Sequence, residues 1–292
     1  MDAEVIEKLK KLTIVALFSD DRLLNTLVLK GGNALSLVYD IRARASFDLD
    51  FSMEGAFDPA ELGDLQKRIT YRLEQAFSPT EYTVFDVKFE ARPSHIVDDV
   101  LDFWGGYSLE FKVIPTARYA ELDPDIDAIR REAIPPRPGG KARFEIDISK
   151  CEYCTGKRAV EMDDFTIYVY TPQMVVCEKI RAICQQTAAY ASSVQKRRTP
   201  RARDFFDIHN TCSHSTIDLS STGTLEIVTN MFRAKRVLLA SLRRIDDDRD
   251  LHRQDWDAVR DTVDPRIKLR EFEFYFNFVR DKCEQIAIAL KV

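Results

Sequence analysis

The segment Ser46-Phe47-Asp48-Leu49-Asp50-Phe51-Ser52 constrains the fold of this chain more than any other. Side chains alternate faces along a β-strand, so Phe47, Leu49 and Phe51 point one way and Ser46, Asp48, Asp50 and Ser52 the other. The apolar face must lie on a core. The opposite face then carries two carboxylates about 6.6–7 Å apart on one rigid backbone. Three further stretches alternate in the same manner: YTVFDVKFE from Tyr82, YSLEFKVI from Tyr107 and RFEIDIS from Arg143. With the short run LVLK ending at Lys30, they predict a sheet. Helices are expected from about Ala3 to Phe18, over NALSLVYD after the glycine pair Gly31-Gly32, and near Pro59–Gln75. The stretch IPPRPGGKA (134–142) is a turn-rich break before the last strand.

From Thr171 the pattern turns almost wholly helical. Thr171-Pro172 is a helix start, with Thr as N-cap and Pro in the first turn. A final helix is expected from about Ile267 to Leu290, with the aromatic stripe Phe272, Phe274, Tyr275, Phe276 and Phe278 as core. The predicted class is α+β: a mixed-sheet domain over residues 1–165, then a helical domain over 166–292. A length of 292 residues suits one large domain or two modest ones. The formal charge of -5 excludes general attraction to polyanions, so a nucleic acid would have to meet a local basic surface. Six cysteines at this length do not make a secreted disulfide framework. The apolar run LTIVALF is too short to span a membrane and badly flanked for a signal peptide. A cytoplasmic protein with no membrane partner is the expectation.

Paired carboxylates on one strand can share divalent ions about 3.5–4 Å apart, as in-line nucleotidyl transfer requires. Mg2+ suits such a site, being hard and content with one or two carboxylates plus phosphates. A strand whose polar face is simply wet has the same pattern. Upstream, however, TLVLKGGNALSLVYD reads as strand, glycine pair and helix start. Glycines allow close backbone approach, and free N–H groups at a helix N-terminus favour phosphate. Lys30 adds positive charge beside Gly31 and Gly32; a tight turn with no ligand is the rival. In RFEIDIS, Glu145 and Asp147 share the polar face, so Asp147 is either a third carboxylate or a solvated side chain.

KGGNAL followed by RASFDLDF resembles the AbiEii/AbiGii family of nucleotidyltransferase toxins, which share a core with DNA polymerase β-like nucleotidyltransferases. The shared pattern is a glycine pair, a short helix, then Arg-x-Ser-x-Asp-x-Asp-Phe, here Arg44 through Phe51. A Glu-Lys pair follows in a later helix as Glu178-Lys179, and a basic segment precedes Arg-Asp-x-x-Asp as Arg203, Asp204 and Asp207. The resemblance spans roughly residues 25 to 210. It implies a polymerase β-like fold and transfer of a nucleoside monophosphate from an NTP to RNA, with the tRNA 3′ end as the favoured acceptor. It further implies Asp48 and Asp50 on Mg2+, Lys179 on the triphosphate, and Asp204 completing the catalytic set; Asp147, from its strand position, is a further candidate as metal ligand or as base for the incoming nucleophile. Lys30, Gly31, Gly32 and Ser46 would line the nucleotide site. The second position of the glycine pair, a serine in the wider superfamily, is Gly32 here, so the cradle loses a hydroxyl. A cognate antitoxin is implied as partner.

Taken physically, Lys179 lies off the apolar stripe of Val176, Ile180, Ile183 and Cys184 and can reach a cleft. Asp204 and Asp207 share a helical face, and Asp204 could equally pair with Arg201 or Lys179. The segment KRRTPRAR concentrates basic residues, with Lys196, Arg197, Arg198 and Arg201 as candidate contacts to an RNA backbone. Cys151 and Cys154 form a lone C-x-x-C without the second pair that zinc needs. Trp104-Gly105-Gly106 reads as a loop between strands. The alternatives are transfer to a protein or small molecule, phosphoryl transfer to a protein, and a nucleotide-binding module without turnover.

Overall fold

The computed structural model describes residues 3–94, 98–137 and 139–292; Pro138 of the predicted break lies outside them. Among the described residues, seven strands make one mixed sheet: β1 (Val28–Lys30), β2 (Leu49–Ser52), β3 (Tyr82–Arg92), β4 (Gly106–Pro115), β5 (Phe144–Ser149), β6 (Arg158–Met162) and β7 (Phe165–Val169). Their order is β3-β4-β5-β2-β1-β7-β6. The chain is thus mixed α/β, with β2 parallel to β5, β1 parallel to β7 and the other neighbours antiparallel.

The alternation in the sequence decides which face of the sheet is buried. Leu49 and Phe51 of β2, Leu109 and Phe111 of β4, and Ile146 and Ile148 of β5 all enter one apolar cluster. Helices α1 (Ala3–Phe18) and α2 (Gly31–Val38) precede β2, and α3 (Leu62–Phe77) follows it. α1 and α3 seal that face with Leu9, Leu17, Phe18, Leu65, Ile69, Leu73 and Phe77. Burying a side chain such as Phe51, which is fully enclosed, contributes about 1.5–3 kcal/mol.

Helices α4 (Pro172–Cys184), α5 (Ala202–His214), α6 (Thr222–Ala234) and α7 (Phe272–Leu290) build a second cluster. It reaches Val28 and Leu35 as well, so the helices pack against the sheet's region of β1 and α2. The Thr171 hydroxyl caps α4 by accepting from Met174 N at 3.2 Å. Among the described residues, no helix is long and apolar enough to cross a membrane.

Three expectations change. β2 begins at Leu49, and Asp48 sits in the bend before it. Phe47 is therefore half-buried on a cleft wall and not in the core. The cause is local: the backbone of this loop is satisfied off the sheet, with Lys10 Nζ donating to Ser46 O and Asn33 Nδ2 to Asp48 O at 2.6 Å. Second, β6 and β7 were not expected; they form a hairpin turned by Asp163 and Asp164, both at positive φ (48° and 66°), as a tight two-residue turn demands. The sheet consequently extends to Val169. Third, α7 starts at Phe272: Glu271 before it is extended (ψ 157°) and Arg270 N donates to Tyr275 Oη at 3.2 Å, while residues 262–264 pair with the 43–45 loop through an isolated bridge between Arg44 and Val263.

Candidate active site

A cleft of about 600 Å³ opens between the sheet and α4–α5. Its wall includes Lys30, Gly31, Gly32, Ser46, Asp48, Asp50, Asp147, Lys179 and Asp204, so residues far apart in the chain meet in one place. β2 and β5 run parallel with Asp50 opposite Asp147, and Lys30 lies opposite Asp50 across β1. That register sets all three side chains on the polar face.

The glycine pair is demanded by contact. Gly31 has φ +71°, and a Cβ there would fall 2.8 Å from Asp50 Oδ2. A Cβ on Gly32 would fall 2.8 Å from Ser46 Oγ. The N-terminus of α2 therefore presses against Asp50 of the acidic strand and Ser46 of its loop. Lys10 and Asn33 hold this assembly together: Lys10 Nζ donates to Asn33 Oδ1 at 3.3 Å, and Asn33 Nδ2 to Ser46 Oγ at 3.3 Å. Burial brings the Lys10 ammonium down to about 8 against the opposing pull of Asp48 and Glu7.

Asp50 is under-compensated. Burial drives its carboxyl up to about 7; Lys30 opposes this, while Asp147 and Glu178 add to it. Lys30 is itself shared, lying 3.5 Å from Glu178 and 4.0 Å from Glu152 and donating to Ser149 Oγ at 3.1 Å. Arg181 pairs with Glu152 at 3.3 Å and Glu178 at 3.1 Å, and Lys235 pairs with Glu152 at 3.3 Å. Asp147 is half-exposed and meets Arg92 at 3.2 Å.

On the helical side the charges close among themselves. Lys179 lies 2.7 Å from Asp204 and 2.9 Å from Asp207, and Arg44 grips Asp207 through two bonds of 2.7 Å. Burial alone would lower the Lys179 pKa, but Asp204 and Asp207 outweigh it and raise it. Burial alone would raise Asp207; Arg44 and Lys179 hold it far below the carboxylate range. Arg201 also reaches Asp204, at 3.5 Å. The first motif, through Arg44, thus touches the last, through Asp207.

Among the described residues, no group of three or more His, Cys, Asp or Glu forms a ready-made metal cage. The donor chemistry still fits Mg2+, which keeps water and substrate phosphates as ligands and needs one or two carboxylates. A buried carboxylate short of positive charge is such a donor. Cys151 and Cys154 are free thiols, and burial pushes Cys154 up to about 12.

The basic segment divides. Lys196 stacks over the Trp104 and Tyr190 rings at 5.4 and 5.7 Å, Arg198 pairs with Asp248, and Arg201 with Asp204. Arg197 and Arg203 are exposed and have no ion-pair partner among the described residues. Sequence reasoning passed over Lys10, Asn33, Glu152 and Arg181. Lys10 had a signal: it lies one turn from Ile6 and Ile14 on an otherwise apolar face of α1.

Residues 13–277 match the AbiEii family, described as the nucleotidyl transferase AbiEii toxin of a type IV toxin–antitoxin system. The chain belongs to this family. It is a nucleotidyltransferase by that membership, and the family's toxin–antitoxin setting implies an antitoxin partner. No curated protein matches the sequence. Among solved structures this AbiEii-family chain is similar to JHP933 from Helicobacter pylori: TM-score 0.50 and 18% identity over 99% of this chain and 93% of that one, which shows a shared fold. It also aligns with a candidate nucleotidyltransferase from H. pylori (TM-score 0.42, 17% identity, covering 99% and 93%). A third match is an antigenic nucleotidyltransferase-like protein from Paracoccidioides brasiliensis (TM-score 0.35, 14% identity, covering 79% and 91%).

Proposed function

We propose that this chain transfers a nucleoside monophosphate from an NTP to the 3′ end of an RNA, with tRNA as the acceptor class and Mg2+ as cofactor. The observation that carries the reading is the contact between the glycine turn and Asp50, which puts a phosphate-binding helix end beside an under-compensated carboxylate. Asp48 and Asp50 would hold the metal, with Asp147 as the third acid. The ion these acids would hold would supply positive charge against the negative charge that builds up during in-line displacement.

The protein's own residues do the rest by binding and orientation. Lys30, the turn at Gly31 and Gly32, and the Ser46 hydroxyl receive the phosphates. Lys179 has three N–H donors, of which Asp204 and Asp207 take two; the third is free for a phosphate oxygen. Asp204 keeps that ammonium aimed at the cleft. Asp147 accepts the proton of the acceptor hydroxyl as its oxygen bonds to the α-phosphorus and the bond to pyrophosphate breaks. Arg197 and Arg203, unpaired and exposed, supply the RNA contacts that the paired Arg198 and Arg201 and the stacked Lys196 are less free to make.

The test is each α-labelled NTP in turn with purified tRNA. A labelled, lengthened tRNA that requires Mg2+ and disappears in Asp48→Ala supports the reading. Label appearing on protein and not on tRNA would overturn it.

A further inference from the structure

Trp104, read from the sequence as part of a connecting loop, lies on the wall of the catalytic cleft. We propose that its indole is the platform on which the base of the incoming NTP stacks, so that this site recognises the face of the nucleobase and not its edge. The inference rests on the reading of the cleft as an NTP site.

Four observations support it. The indole is half-buried, and its N–H makes no hydrogen bond among the described residues. Its other neighbours hold it still: Tyr190 packs at 6.4 Å between centroids, nearly edge-on, and Lys196 lies 5.4 Å from the ring centroid. Lys196 is not part of the cleft wall, so this contact steadies the ring without occupying the cleft. The backbone beside it is equally fixed. Gly105 has φ +97°, and a Cβ on Gly106 would collide with the Ile148 carbonyl, so the loop bends back tightly against β5.

Distance along α4 agrees. Lys179, Ala182 and Gln185 share the cleft wall with Trp104. From Lys179 to Gln185 the helix advances about 9 Å, at roughly 1.5 Å per residue, which is comparable to the span between a base and its outer phosphates. Trp104 packs on Tyr190, whose hydroxyl accepts from Gln185, so the ring lies toward the Gln185 end of α4.

Apart from the enclosed and unpartnered Nε of Arg181, the polar atoms of Gln185 and Arg181 at this end are already committed. Gln185 Oε1 accepts from Arg181 Nη1 at 2.7 Å, and Gln185 Nε2 donates to Tyr190 Oη at 2.9 Å. Arg181 is further taken by Glu152 and Glu178. Every base has a π-face, so stacking without edge contacts tolerates all four and ranks them by stacking strength. Purine NTPs should therefore bind more tightly than pyrimidine NTPs, by less than about tenfold.

The experiment is equilibrium binding of the four NTPs and of inorganic tripolyphosphate to the full chain, its Trp104→Ala and its Trp104→Phe variants, with Trp fluorescence as a second readout. Trp256 is buried away from solvent, so a quench on binding reports on Trp104. NTPs should quench the wild type, and Trp104→Ala should weaken NTP binding about 5- to 100-fold. Trp104→Phe should recover most of that affinity, and tripolyphosphate should bind all three proteins alike. Equal NTP affinity in wild type and Trp104→Ala would overturn the platform while leaving the NTP site intact. Quenching by an oligonucleotide but not by NTP would assign the ring to the acceptor and overturn it too. No NTP binding to the wild type would overturn the platform and the proposed function together.

Discussion

Asp50 on the sheet side of the cleft and Asp207 on the helical side are both enclosed carboxylates, and burial by itself would raise both. Asp207 meets a guanidinium and an ammonium within 3 Å and is held far below its ordinary range. Asp50 has a share of Lys30, which is also drawn to Glu178 and Glu152, and a weaker pull from Lys179, and it rises to about 7. One acid is a closed joint between loop and helix. The other is left short of positive charge, the condition in which a carboxylate attracts a cation. On the proposed function, the difference separates a residue that holds the fold from one kept open for chemistry.

Neutralising each acid is the sharpest way to break this comparison. Asp50→Asn should reduce nucleotide incorporation on the order of 10³-fold while leaving the urea midpoint equal or higher, since it removes a charge that burial disfavours. Asp207→Asn should instead cost about 3–5 kcal/mol of stability by stranding the buried Arg44 and leaving Lys179 to Asp204 alone. Should Asp50→Asn prove the less stable of the two, the distinction fails.

A second prediction concerns pH. His252 is fully buried, with neither ring nitrogen hydrogen-bonded, and burial lowers it from 6.5 to about 4. Its neutral form is therefore preferred in the folded state. The stability it contributes is complete above pH 6.5 and drains away as pH falls towards 4, amounting to about 3 kcal/mol. His252→Phe, packed against Phe205, should flatten this part of a stability-versus-pH curve. An unchanged slope in the variant would mean that other groups set the acid limit.

Gly31→Ala is expected to cost about 1–2 kcal/mol for its left-handed backbone, and it would push on the Asp50 carboxylate. Activity should fall further than stability, on the order of 10²-fold from misplacement alone, as read by incorporation at saturating NTP. The smallest effect belongs to the exposed cations. Charge reversal of Arg197 and Arg203 should lower the slope of log affinity for RNA against log salt by about two, with NTP affinity unchanged. An unaltered slope would remove both from the RNA surface.

Much of this was readable because it depends on periodicity. Alternation in β2 and β5 set Asp50 and Asp147 on one face, and Thr171-Pro172 marked the start of α4. What escaped the sequence depends on contacts between distant segments. Nothing local shows that Arg44 closes on Asp207, that Glu152 gathers Lys30, Arg181 and Lys235, or that a hairpin at 158–169 completes the sheet beside β1. Asp48 was assigned to a strand because its neighbours alternate, yet side-chain donors from α1 and α2 keep its loop away from the ladder.

The pairing of residues 262–264 with the 43–45 loop has a consequence of its own. Ala45 N donates to Thr262 O at 2.9 Å and Asp264 N to Ala43 O at 3.0 Å, so the stretch leading into Asp48 is stitched to a segment near the opposite end of the chain. A protein cut short ahead of residue 262 would retain Asp48, Asp50, Asp147 and the whole sheet. It would nonetheless lose the seam that keeps the first of those acids in place, and an intact set of motifs would then overstate what the shortened enzyme can do.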